Sequence, residues 1–359
     1  MIQPKLAPTG PDVALHYDEL DPFYRGIWGE HVHHGLWLSG KESVEVAVRQ
    51  LVDIVAAQAN VQPGTQVCDV GAGYGGTACQ LVKDYGANVT ALTISKAQYD
   101  YAVARHGRDG NPHFVLGDWL DNDLPDASFD VVTAIECASH MGDMERFFAE
   151  AFRVLRPGGR LVFCAWLAGE HPQPWQVRHL LEPICSEGRL PGLGSALEYF
   201  TWLEQSAFTI DQFSDLSRSV YRTWPVCLQR IAHKLVSDRR YVQYLFDGRN
   251  QNRLFLLTVL RLWLGYRTGD LPRAEAAATR AAAASSAASI CVLTSFRRMP
   301  AARRSALSTS AICFWILPTE VLGSEGLSST SLGTPSCPTC SWRRTVGHRR
   351  LGWSRTSAS

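Results

Sequence analysis

The chain has 359 residues, and 46% of them are hydrophobic, which is enough for one large globular domain or two modest ones. The formal net charge is only +1, and the basic excess lies near the end, where eleven arginines and three acidic residues follow residue 272. No basic stripe runs through the rest of the chain, which argues against a nucleic-acid partner.

The N-terminus and the cysteines indicate a cytoplasmic setting. Met1–Lys5 lacks the apolar segment of a secretory signal, and no run approaches the roughly 18 apolar residues that a membrane span needs. Without an export signal, the ten cysteines are expected to be reduced thiols. We therefore expect a cytoplasmic protein with no transmembrane segment.

After a segment rich in histidines and aromatic residues, 1–40, helices and strands alternate. Apolar residues recur at helical spacing in Lys41–Asn60. The predicted strands are Thr65–Val70, Asn88–Leu92, Phe114–Leu116, Phe129–Ile135 and Arg160–Trp166, and the helices among them are Thr77–Tyr85, Ser95–Arg105 and Met144–Leu155. This alternation predicts an α/β fold, a Rossmann-like, doubly wound, mostly parallel sheet with helices on both faces.

The pattern becomes helix-rich after the fifth strand. Helices are predicted at Trp175–Arg189, Glu198–Ser206 and within Pro225–Tyr266, and a sixth strand at Phe208–Leu216. From about residue 273 an Ala- and Ser-rich stretch leads into an Arg-, Ser- and Pro-rich tail without periodicity. We expect 273–359 to be disordered or out-of-frame sequence, with Ile290–Phe296 as the one stretch that is compatible with a last strand.

A glycine-rich loop follows the first predicted strand. Gly71, Gly73 and Gly76 fit the spacing G-x-G-x-x-G between a strand and a helix. Glycines there let the backbone approach a ligand closely, and the helix N-terminus favours negative charge. The spacing alone is compatible with a nicotinamide dinucleotide, with S-adenosylmethionine or with a turn that binds nothing.

Three features outside the glycines favour S-adenosylmethionine. Asp69 precedes the loop, where a carboxylate would repel a pyrophosphate but can receive the ammonium of a methionine moiety. A dinucleotide site needs an acidic residue about 20 residues further on, whereas Ala91–Ser95 contains none. Asp118 and Trp119 follow the third strand, where a carboxylate and a ring could hold adenine.

At these motifs the sequence resembles the class I S-adenosylmethionine-dependent methyltransferases. Within them it is similar to the γ-tocopherol methyltransferase group, which is related to sterol C-methyltransferases and cyclopropane-fatty-acid synthases. The resemblance extends from about His16 to Gly269. Its most specific pieces are His16–Asp18, Trp28–Gly35, Leu92–Gln98, Ile135–Met141, Arg156–Gly159 and Trp224-Pro225.

The resemblance implies which residues hold the cofactor. Tyr17 would close over it from the N-terminal segment, and Thr93 and Gln98 match a T-x-S-x-x-Q piece near its ribose and methionine. The full set of expected cofactor contacts is Tyr17, Asp69, Gly71, Ala72, Gly73, Thr93, Ile94, Gln98, Asp118, Trp119 and Glu136.

The resemblance also implies an acceptor pocket beyond the fourth strand, with Glu136 and His140 at its mouth. His140 is our first choice for the base that removes a phenolic proton, with His33 or His34 next, and Glu136 completes the expected catalytic set. The tocopherol group usually has a carboxylate directly before this histidine, where this chain has Ser139.

Three histidines that lie close together, His31, His33 and His34, also raise the possibility of a metal site. Three histidines within four residues could supply ligands. His33 and His34, however, would point apart in an extended segment, and no cysteine or aspartate cluster accompanies them. We expect no metal.

The combined features predict a methyltransferase that moves the methyl group of S-adenosylmethionine to a hydrophobic small molecule, such as a prenylated phenol or quinol, a terpenoid, a sterol or another natural product. Residues 1–40 would form a lid segment and 41–272 the catalytic domain, with a helical lid insertion at about 170–266 over the acceptor site. A peripheral membrane contact is compatible with such an acceptor, and no signal for an oligomeric state is visible. The alternatives are a catalytically impaired cofactor-binding or interaction module and an NAD-dependent oxidoreductase.

Overall fold

The computed structural model describes residues 1–206, 208–248, 250, 252–268 and 292–298. The strands are β1 (Gln66–Val70), β2 (Asn88–Thr93), β3 (His113–Leu116), β4 (Phe129–Ile135), β5 (Leu155–Ala165), β6 (Phe208–Asp215) and β7 (Val292–Arg298). The helices are α1 (Gly10–Ile27), α2 (Val44–Ala59), α3 (Gly76–Tyr85), α4 (Lys96–His106), α5 (Met144–Val154), α6 (Pro174–Gln176), α7 (Glu182–Glu187), α8 (Ala196–Gln205), α9 (Ser217–Val220), α10 (Thr223–Ser237), α11 (Arg239–Phe246) and α12 (Phe255–Thr268).

These strands form one sheet with the order β3-β2-β1-β4-β5-β7-β6. The pairs among β1 to β5 are parallel, whereas β7 pairs antiparallel with both β5 and β6. The order reverses between β1 and β4, so the carboxyl ends of these two strands flank the crevice where ligands bind in such sheets. The predicted doubly wound, mostly parallel sheet is confirmed.

Buried residues form a core on each side of the sheet. One core joins α1, α2 and α10 to the sheet through residues such as Leu20, Leu51 and Trp224. The other lies under α5, where Phe147 and Phe148 pack against Phe163 of β5. Apolar side chains cover both faces of the sheet, which explains why the sequences of the strands are nearly continuous hydrophobic runs.

The N-terminal segment contains a long helix, α1, that the sequence analysis did not predict. Asp12 accepts a hydrogen bond from the N–H of Thr9 at 2.8 Å, which stabilises the start of the helix. Its buried face carries Val13, His16 and Leu20 at helical spacing. Because a histidine occupies one of these buried positions, the apolar period is interrupted in the sequence.

Two further predictions can be compared with the structure. The stretch Ile290–Phe296 corresponds to β7, which starts and ends two residues later and lies between β5 and β6. The rest of the predicted tail, and therefore its expected disorder, lies outside the described residues. No helix in the described part of the chain is long and apolar enough to cross a membrane.

Candidate cofactor and acceptor site

The glycine-rich loop turns sharply between β1 and α3. Gly71 and Gly73 have φ angles of +70° and +56°, in the region that favours glycine. A Cβ on Gly71 would lie 2.3 Å from the Cβ of Cys137, which follows β4. Ala72 donates from its N–H to the carbonyl of Leu92 at 2.9 Å. The loop therefore needs glycine at position 71 in order to pass between the ends of β2 and β4.

Asp69 lies directly before this loop and is 2% exposed. Its Oδ1 accepts a hydrogen bond from the hydroxyl of Thr133 at 2.9 Å. Its Oδ2 is buried and has no hydrogen-bond partner among the described residues. Burial raises the pKa of Asp69 to about 7, although the Thr133 hydroxyl opposes the shift. An unsatisfied carboxylate oxygen beside a glycine loop suits a cationic group such as the methionine ammonium of S-adenosylmethionine.

Thr93 and Gln98, both assigned to the cofactor, contact each other at the end of β2. The hydroxyl of Thr93 donates to Oε1 of Gln98 at 2.8 Å. The neighbouring Ser95 caps α4 by accepting from the N–H of Gln98, and its hydroxyl donates to Asp18 of α1 at 2.6 Å. Asp18 also accepts from the N–H of Ala97 at 2.9 Å. The His16–Asp18 motif thus attaches α1 to the N-terminus of α4, a role for Asp18 that the sequence analysis did not name.

The start of α1 also reaches the place predicted for adenine. A Cβ on Gly10 would lie 2.8 Å from Oδ2 of Asp118 and 3.4 Å from Cδ1 of Ile94. The indole of Trp119 is buried instead in the core beneath α5, where its N–H donates to the carbonyl of Phe147 at 3.2 Å. Trp119 therefore has a packing role, and the adenine contacts of Asp118, Ile94 and Trp119 stay predictions.

Tyr17 and His140 meet at the acceptor side of the sheet. Nδ1 of His140 donates to the carbonyl of Arg189 at 3.3 Å, which leaves Nε2 as the nitrogen with a lone pair. The Tyr17 hydroxyl lies 2.9 Å from this Nε2 and donates to it. Burial lowers the pKa of His140 to about 4, although the Arg189 carbonyl opposes the shift, and burial raises the pKa of Tyr17. His140 is therefore a neutral imidazole at physiological pH.

Glu136 follows β4 in a left-handed conformation, with φ +58°. Its Oε1 accepts from the N–H of His34 at 3.0 Å and from Nδ1 of His34 at 2.8 Å, and its Oε2 accepts from Nε1 of Trp166 at 3.1 Å. Burial alone would raise the pKa of Glu136, but His34 and the nearby His33 hold it below its usual value. Tyr266 of α12 lies 3.0 Å from the other nitrogen of His34. Trp166 and Tyr266 carried no recognisable signal in the sequence.

His33 is less suited to act as a base. Its Nδ1 donates to the carbonyl of His34 at 2.8 Å, and its Nε2 lies 3.1 Å from Nδ1 of His31. Burial lowers the pKa of both rings, that of His31 to about 3. No group of three or more His, Cys, Asp or Glu side chains in the described ranges is arranged to hold a metal ion.

A cavity of about 50 Å³ brings the acceptor-side residues together. Tyr17, His33, His34, Glu136 and His140 line it together with further residues of the N-terminal segment and of later parts of the chain. The lining residues from those parts include Tyr24 and Trp28 of the N-terminal segment, Trp166 after β5, Thr223 and Trp224 of α10, and Phe255, Val259 and Leu262 of α12. The cavity is therefore mainly aromatic and aliphatic, and its polar side chains include the Tyr17–His140 and His34–Glu136 pairs and the hydroxyls of Ser139, Thr223 and Thr258.

Comparison with known proteins agrees with this geometry. The family model for mycolic acid cyclopropane synthetase matches residues 5–255. The chain belongs to this family. The match confirms the resemblance to S-adenosylmethionine-dependent methyltransferases and the predicted class of enzyme.

Individual relatives point to the same group. The chain is 30% identical to the 2-methyl-6-phytyl-1,4-hydroquinone methyltransferase of Synechocystis sp. over 273 residues, which are 73% of this chain and 85% of that protein. It is 29% identical to the chloroplastic tocopherol O-methyltransferase of Arabidopsis thaliana over 238 residues, covering 60% and 68% of the two chains. The solved structure of mycolic acid cyclopropane synthase CmaA1, complexed with SAH and CTAB, superposes with a TM-score of 0.65 at 20% identity and covers 82% of this chain and 99% of that one. The last likeness supports the fold.

Proposed function

We propose that this methyltransferase methylates a hydrophobic acceptor that bears an ionisable hydroxyl, with His140 as the general base. The observation that carries the proposal is the Tyr17–His140 hydrogen bond at the wall of an otherwise apolar cavity. Acceptors of the prenylated phenol or quinol, terpenoid or sterol type suit such a lining. The relatives named for tocopherol and for phytyl-hydroquinone support the same choice.

The residues around the glycine loop suit S-adenosylmethionine as the methyl donor. Asp69 offers an unsatisfied carboxylate oxygen for its ammonium, and Gly71 and Gly73 leave the loop backbone without side chains. Ala72, Thr93, Ile94, Gln98 and Asp118 also belong to the expected set and lie at or after the carboxyl ends of β1, β2 and β3; Tyr17, Trp119 and Glu136 are its other members. When bound, the cofactor supplies an electrophilic methyl on a sulfonium, so no metal is required for activation.

The chain's own task is to orient the acceptor and to move one proton. The Arg189 carbonyl fixes His140 in the tautomer with Nε2 free to accept. The Tyr17 hydroxyl lies 2.9 Å from that nitrogen, and Tyr17 and His140 both line the cavity. An acceptor hydroxyl next to Tyr17 can therefore pass its proton to the Tyr17 oxygen while the Tyr17 proton moves to Nε2. Glu136 holds His34 and Trp166 in place, and we assign it a positioning role.

Labelled S-adenosylmethionine tests the proposal. The full chain is incubated with a panel of long-chain phenols, quinols and sterols, and methylated products are measured by scintillation and mass spectrometry. His140→Ala should lower kcat by about 100-fold or more, with cofactor affinity within about threefold of the wild type. His233→Ala, an exposed histidine on α10, is the matched control and should leave kcat unchanged.

The competing proposal, a cofactor-binding module without turnover, gives a different result. It expects cofactor binding by calorimetry with no product from any member of the panel. If His140→Ala is fully active, the proposed methyltransferase activity stands, but His140 is not its general base.

The expected peripheral membrane contact stays a prediction with some structural support. Leu257 and Leu260 of α12 are exposed, whereas Val259 and Leu262 of the same helix line the cavity. A helix with one face on the cavity and leucines on the other suits an acceptor taken from a lipid surface. Leu260→Glu should reduce co-sedimentation with lipid vesicles, and unchanged sedimentation would contradict the contact.

A further inference from the structure

The acceptor cavity contains a buried polar atom that neither the protein nor the proposed proton transfer uses. Trp224 lines the cavity and is 2% exposed. Its indole Nε1 has no hydrogen-bond partner within the described residues. An indole N–H can only donate, and a buried donor without an acceptor destabilises the folded protein. A group that accepts a hydrogen bond is therefore expected here when the cavity is filled.

Two of the polar groups near Trp224, those of Thr223 and Trp166, are donors. Thr223, the first residue of α10, accepts from the N–H of Gly35 at 3.0 Å and from Nε1 of Trp37 at 3.2 Å. With both lone pairs of its oxygen in use, its own proton remains available to donate. The indole of Trp166 is already engaged with Glu136. The start of α10 is therefore suited to an oxygen of the ligand.

Trp224 lies on a different part of the cavity wall from the proposed base. Its ring centroid is 4.9 Å from that of His34, 5.8 Å from that of Trp166 and 6.1 Å from that of Tyr266. The ring contact of His140 within the cavity lining is with Tyr17, at 5.4 Å. An acceptor hydroxyl that meets Tyr17 and His140 therefore leaves Trp224 to a second oxygen.

We propose that Trp224 is a specificity-determining residue and that the acceptor carries two separate oxygens. The first is the reacting hydroxyl at Tyr17 and His140. The second is a carbonyl, ether or hydroxyl oxygen that accepts a hydrogen bond from the indole of Trp224. This inference rests on the proposed function and narrows its substrate class, because a hydrocarbon body with a single hydroxyl leaves the indole unsatisfied.

Matched ligand pairs test the inference by binding. Each pair consists of a long-chain phenol with a second ring hydroxyl and the same phenol with a methyl group there, in ortho, meta and para forms. Titration calorimetry is done with S-adenosylhomocysteine present. For at least one pair, the wild type should bind the two-oxygen member about tenfold more tightly. Trp224→Phe should remove this preference and leave the affinity of the methyl member within about twofold.

A second tryptophan of the cavity serves as the control. Trp28→Phe also removes an indole from the cavity wall and should change the affinities of both members of a pair equally. Equal losses for both members in Trp224→Phe would overturn the inference. The preference for the two-oxygen member can be measured on the wild type alone. If the wild type binds both members of every pair equally, or binds no pair, the inference is rejected. This result holds even if Trp224→Phe does not fold.

Methyl transfer is followed separately on the same pairs, which keeps the two proposals apart. If the two-oxygen member of a pair binds more tightly but no methylated product forms, the proposed methylation is rejected and the role of Trp224 is kept. Methyl transfer with no preference between the members would keep the methylation and reject Trp224 as the specificity determinant.

Discussion

Two buried carboxylates, one on the cofactor side and one on the acceptor side, behave in opposite ways. Asp69 of β1 accepts one hydrogen bond from the protein, and burial raises its pKa to about 7. Glu136, which follows β4, accepts three hydrogen bonds, and its pKa lies below the usual value. Burial raises the pKa of any carboxyl, so the neighbouring His34 and His33, which lower the pKa of Glu136, decide the difference.

The difference indicates separate roles for the two sides of the site. Asp69 gains stabilisation when a ligand brings a positive charge to its free oxygen, so the cofactor side is completed by its ligand. Glu136 is already satisfied by His34 and Trp166, so the acceptor side is held in shape by the protein itself. Both carboxylates were among the expected cofactor contacts, and Glu136 was also expected at the mouth of the acceptor pocket; the contacts of Glu136 favour a positioning role.

Asp69→Asn should have the largest effect. Loss of the charge that receives the ammonium is expected to weaken S-adenosylmethionine binding by about 100-fold. Without ligand at pH 8 the same change should raise the free energy of unfolding by about 2 kcal/mol. A carboxyl whose pKa is higher in the folded state stabilises the fold below its unfolded pKa, and this contribution is lost as the pH rises through about 7. Calorimetry and urea denaturation measure the two effects.

The control for the Asp69 variant is Asp84→Asn, which changes the net charge equally at an exposed site. It should leave cofactor affinity unchanged. If Asp69→Asn binds the cofactor as tightly as the wild type does, the ammonium is held elsewhere. The different surroundings of Asp69 and Glu136 would then not indicate different roles in the site.

Glu136→Gln should affect the stability of the fold more than the affinity for the cofactor. The amide nitrogen of glutamine cannot accept from Trp166 or His34, so the free energy of unfolding should fall by about 2 kcal/mol. Cofactor affinity should change by less than about threefold. A drop in cofactor affinity comparable to that of Asp69→Asn would show that Glu136 holds the cofactor, as the resemblance implies.

The contrast also explains which parts of the site could be predicted from the sequence. The cofactor side is built from adjacent residues, a strand, Gly71–Gly76 and a helix, so spacing revealed the loop, and Asp69 directly before it favoured S-adenosylmethionine over a dinucleotide. The acceptor side depends on pairs that lie far apart in the chain, such as Tyr17 with His140 and His34 with Tyr266. Periodicity carries no information about such pairs, and the resemblance placed Glu136 and His140 at the acceptor pocket but Tyr17 over the cofactor.

The elements that were not predicted have local physical causes. The helix α1 was missed because His16 occupies one of its buried positions, where it bonds to Asn252 and Tyr24 at 3.0 Å each. Trp119 was expected beside adenine because it follows β3. Its side chain packs with Phe147 of α5, the contact with adenine stays a prediction, and a motif of two letters does not show which face of the sheet a ring will occupy.

Varying the pH should separate cofactor binding from the chemical step. Asp69 becomes protonated as the pH falls through about 7, so KM for S-adenosylmethionine should rise about tenfold between pH 8 and pH 6. His140 stays neutral over this range because its pKa is about 4. At saturating cofactor, kcat should therefore be nearly constant between pH 8 and pH 6. A decline in kcat centred near pH 6.5 would show that the base titrates as an ordinary exposed histidine.

Thr93→Val should have the smallest effect. It removes the hydroxyl that donates to Gln98 but keeps the shape of the side chain at the end of β2. The buried Gln98 oxygen is left without this donor, which should lower the free energy of unfolding by about 1 kcal/mol. Because Gln98 is then free to turn away from the loop, cofactor affinity should fall by about threefold. Thr90→Val, earlier on the same strand, is the matched control and should leave affinity unchanged. Equal cofactor affinities for the two variants and the wild type would remove Thr93 and its contact with Gln98 from the cofactor side.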